Sequence, residues 1–225
     1  SIMDARSAHY RSLDGVHAGT WMLYAEPFVA KMPSHLFRWA MRLRCGVYTP
    51  PRPTCSCGES FEGLYPIQVI SHMFNCSQNS RACHLRHKEV VSALVTWIRT
   101  TLGGEVTLEP TQFYNTALDR DTRPDFLVHT SAEAPVVDVT IVNNLSATYL
   151  KRLHPATQSA QSKRIKHAEN VAQAGSYRFY PVAMEISGHC DSGVDDFLDH
   201  LTRVFSECSP KDIKRQGCFV ISTAL

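Results

Sequence analysis

The stretch RPDFLVHTSAEAPVVDVTIV, residues 123–142, constrains this chain more than any other. It holds two apolar-rich segments, 126–129 and 136–142, and each brings one aspartate: Asp125 just before the first, Asp138 inside the second. Val136, Val137, Val139, Ile141 and Val142 are β-branched, which suits a strand buried on at least one face. The SAEAP between the segments predicts a short connection, so the two form a hairpin or lie as neighbouring strands. Pro124 has no amide hydrogen to give, which fits a strand start or a bulge that aims a neighbouring side chain outward. Two carboxylates brought to one cleft by adjacent strands make a site for a hard divalent cation. On the plainer account Asp125 is a turn residue and Asp138 an edge-strand charge. Convergence of the two carboxylates with a lysine separates the accounts.

Around this stretch there is room for one substantial domain, alone or with a small satellite, in a chain of 225 residues. No apolar run approaches the length of a membrane span. The opening SIMDARSAHYRSLDG lacks the apolar core of a signal peptide, which predicts an intracellular chain or a fragment of something larger. A net charge of +2 is too small to imply nucleic-acid binding. The distribution of charge says more. Residues 139–168 contain no carboxylate, yet Lys151, Arg152, Lys163, Arg164 and Lys166 all fall there.

Of the eight cysteines, Cys55, Cys57, Cys76 and Cys83 cluster, while Cys45, Cys190, Cys208 and Cys218 are scattered. In an intracellular chain, clustering beside histidine argues for metal before disulfide. Cys55, Cys57, His72 and Cys76 form a C-x-C…H-x-x-x-C pattern suited to tetrahedral zinc; four protein ligands leave no open position, so the site would be structural. His72 and Cys76 share one helical face, and Gly58 permits a tight turn after the first pair. Free buried thiols are the alternative, and Cys83 and His84 stand by as substitute ligands.

Taken in order, residues 1–33 signal little beyond an apolar patch at 21–24. From Ser34 a helix is expected, with Leu36, Ala40, Leu43 and Val47 on one stripe and Arg38, Arg42 and Arg44 around it. TPPRPT then stiffens the chain. A helix from Leu85 carries Val91, Leu94, Val95 and Ile98, and ends at Gly103 and Gly104. Arg86, His87 and Glu89 would sit in its first turn. There Glu89 either favours the helix dipole or binds metal, and His87 is either packed or functional. A strand at 105–111 places Val106 and Leu108 on one face. Beyond the aspartate strands, a helix runs from Pro155 to a cap at Gly175, with Lys163, Lys166, His167 and Asn170 on one polar face. A strand at 179–187, a capping box at 192–195 opening a helix to Phe205, and a last strand at 218–222 complete the chain. The order is helix, three strands, helix, strand, then a helix–strand addition: an α/β domain. The expected divisions are a helical segment at 1–50, a zinc-binding segment at 51–84 and the α/β domain at 85–225.

Together, CSCG, ISHMFNC, LRHKEV, LEP, RPDFLV, DVTIV, K-R-I-K-H and YPVAMEISG resemble, in order, a segment of site-specific non-LTR retrotransposon proteins. In that family these motifs build a zinc-binding segment and a restriction-like endonuclease of the PD-(D/E)XK superfamily. The resemblance covers roughly residues 36–205. It implies a PD-(D/E)XK core, with Asp125 as the PD aspartate and Asp138 as the acidic residue of the third motif. Thr140 stands where many superfamily members keep lysine; in the retrotransposon branch the lysine comes from the next helix, in a K-x-x-K-Y pattern. Here that pattern is Lys163, Lys166 and His167, with histidine in place of tyrosine, and Lys88 replaces the usual Asp or Asn after Arg86–His87.

The resemblance further implies Mg²⁺ or Mn²⁺ at Asp125 and Asp138, beside structural Zn²⁺. Glu89 is the candidate further acid of that site, with Glu109 as its alternative. It implies contacts to DNA from Lys151, Arg152, Arg164, His167, Arg86 and His87, retroelement RNA as a second partner, and a nuclear location. The chain would be part of a larger polypeptide with a reverse transcriptase. Two other functions fit the same motifs: a catalytically silent nucleic-acid-binding module, and a nuclease of branched DNA.

Overall fold

A sheet forms where the sequence is richest in β-branched residues. In the computed structural model, which describes residues 2–14, 52–113 and 123–224 with isolated positions between 38 and 50, β3 (Ala134–Val142) lies inside a four-stranded sheet. β2 (Phe126–His129) pairs antiparallel with β3, and β1 (Glu105–Leu108) pairs antiparallel with β2. On the other side β4 (Tyr177–Glu185) runs parallel to β3, from Ala134 opposite Tyr177 to Val142 opposite Glu185. Parallel neighbours need a long crossover, and the helix Pro155–Gln173 supplies it. Pro181 is tolerated because β4 is an edge strand, where a missing amide hydrogen costs least.

Among the described residues there are six α-helices: α1 (Ile2–Leu13), α2 (Pro66–Asn75), α3 (Ser80–Thr101), α4 (Pro155–Gln173), α5 (Ser192–Val204) and α6 (Pro210–Ala224). Side chains alternate along the strands, so the sheet has two apolar faces. Val137, Val139, Tyr180, Val182 and Met184 pack against Val90, Leu94 and Ile98 of α3 and against α5 and α6. On the opposite face Leu127 and Val136 meet Val171 of α4, while Ala156 and Ala160 of α4 lie against Ala183. Three alanines in contact let α4 settle close to β4, and Asp138 faces α4 on this side. The result is a mixed α/β fold in three layers, and among the described residues no helix is long and apolar enough to cross a membrane.

Near the N-terminus, Ala5 and Ala8 of α1 pack on Ile67, Val69 and Ile70 of α2 and on Leu145 after β3. Ser71 donates to Leu145 O at 2.8 Å, and Asn144 donates to Ala8 O at 3.2 Å. The cysteine-rich segment is thereby seated on the sheet domain. The helix expected from Ser34 and the patch at 21–24 fall largely outside the described residues.

Several local expectations are corrected. α3 begins at Ser80, five residues earlier than the apolar stripe suggested, so Arg86, His87 and Glu89 lie beyond its first turn and Glu89 gains nothing from the helix N-terminus. β1 stops at Leu108, which is 51% exposed, because Glu109 takes a left-handed φ of 45°. Helix α5 is capped by Asp191, whose side chain accepts from Gly193 N–H at 2.9 Å, rather than by Ser192.

The last strand is absent: residues 218–222 belong to α6. Over five residues CFVIS reads as a strand, but Ile213, Gly217 and Ile221 recur every four and line one buried helical face. A Cβ at Gly217 would lie 2.4 Å from Leu198 Cδ2 and 3.1 Å from the Trp97 ring. Gly217→Ala should therefore destabilise the chain by ~1–3 kcal/mol through overpacking. Urea unfolding checks this, and a neutral or stabilising result would show that α6 does not pack on Leu198.

Candidate functional site

β2 and β3 remain paired only where Phe126 meets Val137 and Leu127 meets Val136. Asp125 N–H still donates to Val137 O at 2.9 Å; before that the chain leaves β3, whose β2-side edge from Val139 onward has no strand beside it among the described residues. Unpaired backbone groups in such a fork need partners, and two side chains provide them. Asp125 Oδ2 accepts the Val139 N–H at 2.6 Å, and His87 Nε2 lies 3.1 Å from Val139 O and 3.2 Å from Asp125 Oδ2. The fork thus gathers one group from α3, one from the start of β2 and the backbone of β3.

One residue earlier on β3, Asp138 turns toward α4 and is only 3% exposed. Lys163 Nζ lies 2.8 Å from its Oδ2 and His167 Nε2 3.3 Å away. Lys163 thus pairs with this buried oxygen as an ion, while the His167 ring stands beside it without a hydrogen bond. Burial pushes the Asp138 carboxyl up to about 6; the Lys163 charge opposes this and the adjacent Asp125 carboxylate adds to it. Desolvation wins over the ion pair here. His167 is held down to about 4, first by burial and then by the Lys163 and Lys166 charges, so its ring is neutral at physiological pH. His87 is raised, chiefly by its hydrogen bond to Asp125. Asp125, Asp138 and Lys163 therefore converge, and the plainer account of unrelated turn and edge charges does not describe them.

A groove of about 290 Å³ opens beside this cluster, lined by Thr140, Arg152, Ser159, Ser162, Lys163 and Lys166 among others. Thr140 Oγ1 is buried there without a hydrogen-bond partner. Ser159, Ser162, Lys163 and Lys166 are spaced to share one face of α4, a signal legible in the sequence that singled out only the lysines. Tyr149 also lines the groove, with the Arg152 guanidinium 5.4 Å from its ring centre. No spacing pointed to Tyr149.

The remaining expected residues are distributed differently. His167 is 4% exposed and faces Asp138, so it leaves the polar face expected for it and offers no surface to a nucleic acid. Arg86 lies 4.2 Å over the Phe74 ring and reaches Cys83, toward the cysteine-rich segment. Arg164 donates to the buried Asp191 carboxylate at 3.2 Å, tying α4 to the cap of α5. Lys151 and Arg152 are exposed, and Arg152 bonds Gln158 at 3.0 Å. Glu89 is exposed on α3, and the exposed Glu109 side chain lies 3.9 Å from Arg123.

In the cysteine-rich segment, Cys55, Cys57, His72 and Cys76 bring their ligand atoms within 4.8 Å of one another. Cys55 N–H donates to Glu59 O and Gly58 N–H to Cys55 O, a tight turn that Gly58 makes possible with φ +92°. His72 and Cys76 come from the last turn and C-cap of α2. Cys55 Sγ to Cys76 Sγ is 3.6 Å and Cys57 Sγ to His72 Nε2 is 3.4 Å. A tetrahedral site with 2.3 Å metal–sulfur bonds has edges of about 3.8 Å, so the cluster can hold a metal ion such as zinc. The Cys57 backbone, then His72, lower the Cys55 thiol to about 6, toward the thiolate a metal needs. Against the lowering hydrogen bond at the Glu59 backbone, desolvation and Cys55 raise the neighbouring Cys57 thiol. Cys83 instead bonds Phe74 O, and His84 is exposed. In comparisons with known proteins, no family model matches the chain and no curated protein matches it.

Proposed function

We propose that this chain is a metal-dependent DNA endonuclease domain of PD-(D/E)XK type from a retroelement protein. The observation that carries this is the fork between β2 and β3, where Asp125 and Asp138 meet with Lys163 of α4 2.8 Å from Asp138. The order helix, three strands, helix, strand and the sheet order β1-β2-β3-β4 are compatible with such a core.

Two carboxylates pressed together, one of them buried and raised by desolvation and by its neighbour, fit a hard cation better than they fit each other. Asp125 and Asp138 would hold Mg²⁺ or Mn²⁺, which when bound polarises the phosphodiester and lowers the pKa of water. Lys163, released from Asp138, would orient the attacking water or offset the charge of the transition state. Lys166 and Arg152, with the hydroxyls of Ser159 and Ser162, would hold the flanking backbone in the groove. His167, neutral and buried, would shield the Asp138 carboxylate from solvent. The cysteine site would be structural, bracing α2 against the sheet domain. DNA is the proposed substrate, with retroelement RNA as a second partner, a reverse transcriptase in the same polypeptide and the nucleus as the place of action.

The two lysines provide the test, with nicking of supercoiled plasmid in Mg²⁺ as the assay. Lys163→Ala should lower the cleavage rate by roughly 10²–10⁴, whereas Lys166→Ala should cost about tenfold or less, mainly through weaker binding. Equal losses, or a larger loss at Lys166, would contradict the role given to Lys163. Binding without cleavage by the wild type would favour a silent module, and cleavage of four-way junctions but not plasmid a branched-DNA nuclease.

A further inference from the structure

We infer that His87 is a positioning residue that locks the Asp125 carboxylate, so that one chosen oxygen, Oδ1, is presented to a divalent cation. This rests on the nuclease function proposed above.

His87 Nε2 has two neighbours, Asp125 Oδ2 at 3.2 Å and Val139 O at 3.1 Å. A peptide carbonyl only accepts, and Asp125 Oδ2 is already accepting the Val139 N–H at 2.6 Å. Nε2 must therefore carry the hydrogen, and the tautomer is set by geometry. The contacts of Asp125 with His87 and Val139 all fall on Oδ2, which leaves Oδ1 unengaged by either. Val139 N–H holds Oδ2 from the strand and His87 holds it from α3, so the carboxylate is pinned from two independent elements. The helix is fixed in turn by the packing of Val90, Leu94 and Ile98 on the sheet. Hydrogen bonds of this kind orient ligating carboxylates and are worth 10–100-fold in metal affinity.

A merely structural role would have His87 satisfy the open edge of β3 and nothing more. The roles separate in Mn²⁺ binding, measured by the electron paramagnetic resonance of free Mn²⁺ on zinc-loaded protein. The wild type should bind one Mn²⁺ that Asp138→Asn abolishes. His87→Ala should weaken that binding at least tenfold, and His87→Gln, which returns an N–H donor, should recover most of it. Thermal melting without Mn²⁺ should not separate the two His87 variants to match. Long-range proton–nitrogen NMR spectra of the wild type should place the His87 ring proton on Nε2 before any Mn²⁺ is added. Unaltered Mn²⁺ affinity in His87→Ala, failure of His87→Gln to improve on it, or a neutral ring with its proton on Nδ1 would each overturn the inference. Absence of an Asp138-dependent Mn²⁺ site in the wild type would instead overturn the nuclease function, and the metal-presenting role of His87 with it.

Discussion

Asp138→Asn should abolish metal-dependent cleavage and, at neutral pH, make the chain more stable when no Mg²⁺ or Mn²⁺ is present. The first effect follows from losing a charged ligand without losing shape. The second follows from burial, which raises the Asp138 carboxyl from 3.8 to about 6 despite Lys163. Between those values the folded chain keeps a proton that the unfolded chain has released. The contribution is thus fully present below pH 3.8 and lost as pH rises through about 6. At roughly 1.4 kcal/mol per pH unit, the ionised carboxylate costs no more than about 3 kcal/mol. Asparagine mimics the protonated form, so the variant should gain at pH 7.5 and gain nothing at pH 3.5. Urea unfolding of the zinc-loaded proteins at both pH values checks this. Cleavage surviving in the variant would move the active site elsewhere, and equal stability at pH 7.5 would mean that the carboxylate is not strained.

Removing metal from Cys55, Cys57, His72 and Cys76 should unfold the cysteine-rich segment while the sheet persists. Without a cation the clustered thiols lose the bond that closes the turn at Gly58 onto α2. What remains is the small cluster of Ala5, Ala8, Ile67, Val69, Ile70 and Leu145, too little apolar surface to hold a segment of this size alone. Metal-coupled folding is worth about 10 kcal/mol or more in small zinc domains, so a local loss of several kcal/mol is expected. Hydrogen exchange with and without a zinc chelator reads it directly. Amides of α1 and α2 should lose protection by orders of magnitude while β2, β3 and β4 keep theirs. Purified protein without stoichiometric zinc, or protection lost uniformly, would contradict this.

The strands that carry the carboxylates were legible because their signal is local. Six β-branched residues crowd into β3, and an aspartate among them has to face something. The cysteine site was legible for a similar reason: two thiols flanking one residue, and a His/Cys pair one helical turn apart, restrict geometry before any packing is known. His87 was not legible in this way. Its partners, Asp125 and Val139, are remote in sequence, and nothing near position 87 distinguishes a residue reaching a strand fork from one reaching a phosphate. The same holds for His167, whose helical spacing with Lys163 and Lys166 suggested a shared polar face. The helix lies over Asp138 so that Lys163 reaches in, His167 is buried and Lys166 stays outside. The start of α3 was missed because residues 80–84 carry no apolar stripe, and α6 because three consecutive aromatic and β-branched residues in CFVIS outweighed a four-residue repeat.

The central claim is that Asp125, Asp138 and Lys163 form one metal-dependent site for phosphodiester cleavage. Supercoiled plasmid incubated with zinc-loaded wild-type protein tests it most directly, across a titration of Mg²⁺ or Mn²⁺ and beside the Asp125→Asn, Asp138→Asn double variant. Open-circular product should rise with added metal in the wild type and be absent from the double variant. Nicking that proceeds equally without added metal, or equally in the double variant, would contradict it.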